Sequence, residues 1–375
     1  GEMRVFHDQD TMSGQYCCLA QCRCEVLPSV PYGYFGQYND IAITETEILV
    51  SAYDEWYGDL ILAHYSLENE LLSVDYVDGF SDEGTIRGNP NGIRLGRSAP
   101  GHDVGKYSKL ILFSDLSYAI AYQDVDQKKL KYAKYDINQK QWKIQTLDTV
   151  SDTGYFISAT LDPDEKPRIV YHLEKSEEDS NASAVIYFEA MVKDPKQVED
   201  WQKLAIDKKY PPLQCLGTCK EQEACIFVNQ STSTCKPIVT DCSKECGKSD
   251  ACVMNDSGTP ECKRMLDESL FPKKFENVNG LYPSIIIHQN TTFIVYYDSD
   301  TKVLKGAFGS ITSGFNIGII DDGLNKINGM KENVGANPFL AKSSNGTIGI
   351  VYRNLSSNEL LLWQGKYFDF VKPKA

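Results

Sequence analysis

The sequence predicts an all-β protein with the architecture of a β-propeller, and three observations carry this prediction. Short runs of β-branched and aromatic residues alternate with Gly, Asn and Asp turns, and helical patterns are almost absent. A strand-pair motif recurs along the chain, and a strand that begins with glycine precedes each copy. Units of four antiparallel strands that recur about every 50 to 70 residues are typical of propeller blades.

The strand-pair motif is an apolar run that ends in Asp or Asn, with Leu six residues later and Ala or Trp three residues after the Leu. Asp or Asn at a strand end can turn the chain through its own side chain, so the motif predicts a hairpin whose Leu faces the core. A looser fifth copy joins residues 168–173 to residues 184–190. The regular copies end at Asp54, Asp124, Asp298 and Asn354, with leucines at Leu60, Leu130, Leu304 and Leu360.

Strands on both sides of the hairpin complete each unit. The preceding strands begin at Gly36, Gly105, Gly154, Gly280 and Gly335. A further strand follows every hairpin except the last, at residues 71–77, 142–147, 201–206 and 315–320. Five units therefore account for the chain, and the last unit lacks a strand.

The N-terminus offers a strand for that incomplete last unit. We expect Met3–Phe6 to pair with it, because such closure removes a free sheet edge. The prediction is five blades, with six as the alternative if residues 79–103 contain a degenerate unit.

The repeats resemble those of secreted bacterial propellers whose blades carry a Tyr-x-Asp-x5-Leu-x-x-Ala hairpin. The resemblance covers roughly 300 residues and implies an architecture shared by lectins, adhesins, inhibitors and enzymes. The Ser-x-Asp-x-Gly-x-x-Trp box of sialidases is not present, since the partial matches at Ser81 and Ser151 lack the Trp.

A second repeat consists of cysteines. Four of them recur at a displacement of 27 residues, as Cys215, Cys219, Cys225 and Cys235 and then as Cys242, Cys246, Cys252 and Cys262. Modules this small cannot bury a useful apolar core, so disulfides must hold them, and each quartet permits three pairings. The modules resemble small epidermal-growth-factor-like units. They divide the chain into propeller residues 1–210, with a Cys-rich loop at 11–30, an insertion at 211–268, and propeller residues 269–375.

Composition and charge exclude several classes of function. The formal charge of −14 and the lack of any basic run longer than two residues argue against nucleic acid as a partner. No stretch approaches the ~18 apolar residues of a membrane span. The clustered cysteines indicate an oxidising compartment, so we expect a secreted, cell-surface or periplasmic protein.

Two groups of residues are candidate metal ligands. Cys17, Cys18, Cys22 and Cys24 could bind a soft metal, but disulfides are the favoured interpretation. Asp124 with Asp126, and Asp298 with Asp300, offer the alternating oxygens that calcium binds. The alternative for these aspartates is closure of their turns by the side chain.

Other candidate ligand-binding residues lie on loops. Trp56 and Tyr57 occupy the first hairpin turn, where an exposed aromatic pair could stack on a sugar or anchor a protein. The alternative is that the pair packs under the adjacent loop. Arg94 and Arg97 could bind an acidic ligand or partner, but a solvated loop is the favoured interpretation. Asp40, near the start of the first inner strand, is the candidate funnel carboxylate of a hydrolase. No catalytic residue can be assigned, because no Gly-x-Ser-x-Gly or His-Glu-x-x-His motif is present.

These observations favour a binding or adhesion protein over an enzyme. The Cys-rich loop, loop 79–103 and the double Cys module all fall on links between blades, which open on one face of a propeller. That face would recognise a glycan or an extracellular protein. The alternative for the three insertions is that links between blades simply tolerate added residues. Two alternatives remain: a carbohydrate-active hydrolase that uses funnel carboxylates, and a structural subunit of an extracellular assembly.

Overall fold

The computed structural model describes most of the chain beyond the N-terminal region. The described residues are 34–79, 100–149, 152–176, 182–209, 219–220, 222–227, 233–242, 245–247, 250–265, 279–325, 327 and 329–366, together with the backbone of three N-terminal strands at 3–7, 14–18 and 23–26. Loop 79–103, with Arg94 and Arg97, lies almost entirely outside them.

The N-terminal strands form a three-stranded antiparallel sheet in the order β1-β2-β3. They are β1 (Met3–His7), β2 (Gly14–Cys18) and β3 (Arg23–Val26). The predicted pairing of Met3–Phe6 with the last unit is wrong for the described strands, because β1 is the edge strand of a separate sheet and pairs there with β2 alone. The short connection between β1 and β2 keeps the loop-closure entropy of this hairpin small.

The propeller repeats form five antiparallel sheets, named R1 to R5, which follow the predicted units in order. R1 contains β4 (Phe35–Ile43), β5 (Glu47–Asp54), β6 (Asp59–Ser66) and β7 (Leu71–Asp78). R2 contains β8 (Val104–Leu112), β9 (Tyr118–Asp124), β10 (Lys129–Asp136) and β11 (Gln141–Thr146). R3 contains β12 (Tyr155–Leu161), β13 (Pro167–Ser176), β14 (Ala182–Ala190) and β15 (Trp201–Lys209).

The insertion and the last two repeat sheets follow. The insertion has two hairpins, β16 (Glu223–Phe227) with β17 (Ser233–Pro237) and β18 (Asp250–Met254) with β19 (Pro260–Arg264). R4 contains β20 (Asn279–His288), β21 (Thr291–Asp298), β22 (Val303–Ser310) and β23 (Gly314–Asp321). R5 has three strands, β24 (Val334–Lys342), β25 (Thr347–Asn354) and β26 (Leu360–Lys366). The chain is an all-β propeller, and the number of blades stays a prediction.

The repeated Asp closes its turn, as the structural alternative predicted. Asp54 Oδ1 accepts hydrogen bonds from the backbone N–H groups of Trp56 and Tyr34, each at 3.0 Å. Asp124 Oδ1 accepts one from Gln127 at 2.8 Å. Each of these aspartates is buried.

A tyrosine links each repeat sheet to the one before it. Tyr122 of R2 donates to Asp78 Oδ2 at the end of R1, over 2.7 Å. The same bond recurs at the next three interfaces, as Tyr171 to Asp148, Tyr296 to Asp207 and Tyr352 to Asp321. Apolar side chains of neighbouring sheets pack around this bond, so the core lies between the sheets.

The insertion is held by disulfides. In the second module they join the first cysteine to the third and the second to the fourth, and in the first module the second cysteine is joined to the fourth. The described pairs are Cys219–Cys235, Cys242–Cys252 and Cys246–Cys262, and Cys225 is also disulfide-bonded. Ala224, Ile226, Ala251 and Val253 share one small core, in which the residues of the second hairpin lie 27 positions after those of the first. The two modules therefore pack together. In the described residues, no helix is long and apolar enough to cross a membrane.

Candidate functional site

The candidate site lies at the end of the propeller where the first strand of every repeat sheet begins. Phe35, which begins β4, is paired with Asp54, which ends β5, so the sheet-to-sheet links and the central hairpins share this end. We call this end of the propeller the funnel mouth. The predicted common face for links and hairpins is thus present in R1.

The first strand of each repeat sheet contains a bulge near the funnel mouth, and the bulge changes the direction of one side chain. Two residues after the leading Gly, the backbone adopts the left-handed conformation, and the pairing with the second strand slips there. Residues other than Gly rarely adopt this conformation, and such strained positions are concentrated at functional sites. The five residues are Tyr38, Tyr107, Phe156, Tyr282 and Asn337, with φ between 50° and 57°.

Four of these residues form a continuous arc of aromatic rings. The ring centroids of Tyr38 and Tyr107 are 4.7 Å apart, and those of Tyr107 and Phe156 are 4.9 Å apart. Phe156 and Tyr282 follow at 4.3 Å. Because each ring comes from the next sheet around the axis, the rings together line the funnel mouth, and Asn337 holds the fifth position.

Acidic side chains lie near the Tyr38–Tyr107 part of the arc, where the Tyr53 ring is 6.0 Å from the Tyr38 ring, centroid to centroid. The Tyr53 hydroxyl donates to Asp103 Oδ1 over 2.9 Å, and Gln37 Nε2 donates to Glu55 Oε2 over 2.8 Å. Glu174 follows the end of the R3 motif, at the position that Glu55 holds in R1. Glu55 and Glu174 are exposed, and Asp103 is half-buried.

The pKa values of Tyr107 and Tyr155 are raised, in part by the charges of nearby carboxylates. Burial raises the pKa of Tyr107, and Tyr38 and the charge of Glu174 raise it further. Burial also raises the pKa of Tyr155, to which the charges of Glu174 and Asp152 add. These phenols stay protonated at neutral pH, so they offer neutral aromatic surface and hydroxyl donors.

Asp40, the predicted funnel carboxylate, is used in a contact between sheets. Its Oδ2 accepts a hydrogen bond from Leu110 N at 2.9 Å, and Lys109 Nζ lies 3.5 Å from its Oδ1. Ser158 and Ser284 make the equivalent contact at the R3–R4 and R4–R5 interfaces, with Ile285 N and Leu340 N. Asp40 therefore links R1 to R2.

The predicted aromatic pair is divided between surface and interior. Trp56 is 56 % exposed, whereas Tyr57 is only 6 % exposed. Tyr57 is therefore buried, as the packing alternative predicts, whereas Trp56 lies at the surface. Trp56 alone remains available to a ligand.

Lysine ammonium groups contact the acidic pairs considered for calcium. Lys131 Nζ lies 3.3 Å from Asp124 Oδ2, and Lys305 Nζ lies 2.9 Å from Asp298 Oδ2. Lys209 contacts Asp300, and Asp126 accepts a hydrogen bond from Asp103 N. In the described residues, the geometric grouping that a metal could bridge is Cys242, Cys246 and Cys252, which disulfides already occupy. Cys17 and Cys24 are backbone partners in β2 and β3, and their side chains lie outside the description.

Comparisons with known proteins concern the fold. No protein-family model matches the chain, and no curated protein matches its sequence. Similar solved structures include a thermostable family-43 glycoside hydrolase, which has 10 % sequence identity to this chain. The match covers 93 % of this chain and 95 % of that chain, with a TM-score of 0.39. An α-L-arabinofuranosidase of Fusarium graminearum has 10 % sequence identity, and the match covers 96 % of this chain and 86 % of that chain with a TM-score of 0.41. An endo-arabinase from Bacteroides thetaiotaomicron has 10 % sequence identity, and the match covers 90 % of this chain and 97 % of that chain with a TM-score of 0.38.

The expectation of a binding or adhesion protein is corrected by this comparison. The matched structures named above are glycoside hydrolases. These structures are of the class that the sequence analysis gave as an alternative, a carbohydrate-active hydrolase.

Sequence reasoning missed the aromatic arc. The signal was present as Gly-x-Tyr or Gly-x-Phe at the start of four first strands, at Gly36, Gly105, Gly154 and Gly280. The motif alone does not show that the aromatic residue becomes left-handed and meets the equivalent residue of the next sheet.

Proposed function

We propose that the protein is a carbohydrate-active hydrolase whose active site is the funnel mouth. The observation that supports this proposal is the arc of Tyr38, Tyr107, Phe156 and Tyr282 with carboxylates beside it. Aromatic faces stack on the apolar faces of sugar rings, and glycoside hydrolysis needs two carboxyl groups flanking the scissile bond.

Glu55, Asp103 and Glu174 are the proposed source of the catalytic pair. Glu55 and Glu174 are exposed at hairpin ends, so either can approach a sugar bound over the arc. Asp103 is oriented by the Tyr53 hydroxyl. One carboxyl would protonate the leaving oxygen, while the other would act as nucleophile or activate water.

The protein is proposed to work outside the reducing cytosol. Its described insertion contains three disulfides, which persist in extracellular or periplasmic compartments. Secretion is therefore part of the proposal.

Turnover by the purified protein tests the proposal. A panel of aryl glycosides and oligosaccharides, with products separated by chromatography, should reveal a hydrolysed substrate. On that substrate we expect at least two of Glu55→Gln, Asp103→Asn and Glu174→Gln to lower kcat by about 10²-fold or more.

Two matched variants serve as controls. Glu68→Gln alters an exposed carboxylate on the β6–β7 turn and should leave kcat unchanged. Asp40→Asn should lower the melting temperature while kcat stays within about threefold of the wild type, because Asp40 contacts R2. Absence of turnover across the panel, or full activity in all three funnel-mouth variants, would overturn the proposal.

A further inference from the structure

The two ends of the series of repeat sheets both present apolar faces that are covered at every other interface. The front of R1 is the face that carries Ile41, Val50, Ala52, Ile61 and Ala63. The back of R5 is the face that carries Phe339, Leu360 and Leu362. We infer that the N-terminal sheet, β1 to β3, packs between these two faces and closes the propeller.

The front of R1 lacks the cover that its equivalents have. Ile41 lies five residues after the leading Gly and is 59 % exposed. The residues at the same position in R4 and R5, Ile285 and Leu340, are 5 % and 3 % exposed because the preceding sheet covers them. Exposed apolar patches of this kind mark interaction surfaces.

A cavity marks the same face. It has a volume of about 350 Å³ and is lined by Val50, Ala52, Ile61, Ala63 and neighbouring residues. Ala52 holds the position that Tyr122 holds in R2, where the tyrosine packs against the preceding sheet. The front of R1 therefore has room for a side chain from a covering element.

The back of R5 shows the same deficit. Leu360 is the repeat leucine of the last hairpin and is 75 % exposed. The equivalent Leu60, Leu130 and Leu304 are each 0 % exposed, because the following sheet covers them. Since both faces are open, R1 and R5 do not cover each other, and an additional element fits between them.

The backbone register of the N-terminal sheet identifies it as that element. His7 pairs with Gly14 and precedes Asp8, just as Tyr53 pairs with Leu60 and precedes Asp54. Arg4 pairs with Cys17, which corresponds to the pairing of Val50 with Ala63 in R1. By register, β1, β2 and β3 are therefore the second, third and fourth strands of a repeat sheet.

The link that follows β3 supports the same assignment. Residues 27–34 lead from β3 to the first strand of R1, and residues 147–154 lead from the last strand of R2 to the first strand of R3. The two links have the same length. The N-terminal sheet thus precedes R1 as each repeat sheet precedes the next.

Closure by this sheet also completes the funnel mouth. A cavity of about 420 Å³ beside R5 is lined by Asn337, Arg353, Asn358, Glu359 and Leu360. Arg353 holds the position from which Tyr53 and Gln123 reach the link into the next sheet. The closing sheet would form the opposite wall of this cavity.

Site-specific photo-crosslinking of the full chain tests the inference. The photoreactive residue p-benzoyl-phenylalanine replaces Leu72 on the front of R1 or Leu362 on the back of R5, which are 59 % and 68 % exposed. The control position is Ile137, which is 72 % exposed on the β10–β11 turn. We expect mass spectrometry to find crosslinks from positions 72 and 362, and not from 137, to peptides of residues 3–26.

Three other outcomes would overturn the inference. They are crosslinks between R1 and R5, crosslinked dimers, and no crosslink to residues 3–26. A second measurement does not depend on the photoreactive residue. Leu72→Glu and Leu362→Glu should each raise amide exchange in residues 3–26 by about tenfold or more, whereas Ile137→Glu should leave it unchanged.

Discussion

Gly335 lies directly against Leu304 of the preceding sheet, and a Cβ atom on Gly335 would come within 2.7 Å of the Leu304 Cα. The φ of Gly335 is 102°, so both space and backbone conformation require glycine. Gly105 makes the same approach to Leu60. This contact explains why the repeat couples a leucine in one unit to a glycine that starts the next.

Gly335→Ala should therefore lower the free energy of unfolding by more than about 1 kcal/mol. Gly349→Ala in the same sheet is the matched control, because its Cβ would meet nothing within 4 Å. Urea unfolding monitored by Trp fluorescence measures both. Equal stability of the two variants would show that the Gly335 contact is not required.

Lys131→Met should destabilise the protein by about 3 kcal/mol. Lys131 Nζ lies 2.7 Å from Asp78 Oδ2 and 3.3 Å from Asp124 Oδ2, and Asp124 is buried. Removal of the lysine leaves the buried Asp124 carboxylate, and the half-buried carboxylate of Asp78, without their counterion. Urea unfolding should show the loss, and Lys196→Met, at an exposed position, should be neutral. A neutral Lys131→Met would contradict the importance of this network.

Stability should fall with acid because of His172. This residue is 1 % exposed, and burial lowers its pKa to about 3 from 6.5 although a hydrogen bond with the backbone of Asn279 opposes part of that shift. In the unfolded chain His172 binds a proton below about pH 6.5, whereas in the folded chain it stays neutral down to about pH 3. The free energy of unfolding therefore falls as the pH decreases between these two values.

His172→Gln should remove this part of the acid sensitivity. Gln123 holds the equivalent position in R2 and donates to the backbone of Thr153, in the link into the next sheet. Unfolding free energies of variant and wild type, measured at pH 7, 5.5 and 4, should diverge in favour of the variant as the pH falls. Parallel curves would refute the role of His172.

Loss of the Cys246–Cys262 disulfide should unfold the insertion alone. The insertion has its own small core of Ala224, Ile226, Ala251 and Val253, and the repeat sheets from R1 to R5 contain no cysteine. In the variant with both cysteines replaced by Ser, hydrogen exchange should speed up in residues 250–265. Faster exchange in R3 or R4 would contradict this independence.

The sequence by itself determined the repeat sheets, because their information is local. A strand that ends in Asp54, with Leu60 six residues later, specifies the hairpin, and the turn is closed by the Asp54 side chain as expected. The displacement of 27 residues likewise predicted two similar disulfide modules. Their pairing required the structure, since four cysteines allow three connectivities.

Tertiary structure decided how the sheets meet. Tyr38 and Tyr107 are 69 residues apart in the sequence, yet their rings are 4.7 Å apart, and the backbone is left-handed at both positions. Asp40 and Tyr57 have side chains typical of a binding site, but contacts with other segments fix Asp40 to Leu110 and bury Tyr57. The sheet that the N-terminal strand joins also required the structure, in which β1 pairs with β2 and is separate from the last repeat sheet. Long-range packing and loop-closure entropy settle these choices, and residue patterns do not encode them locally.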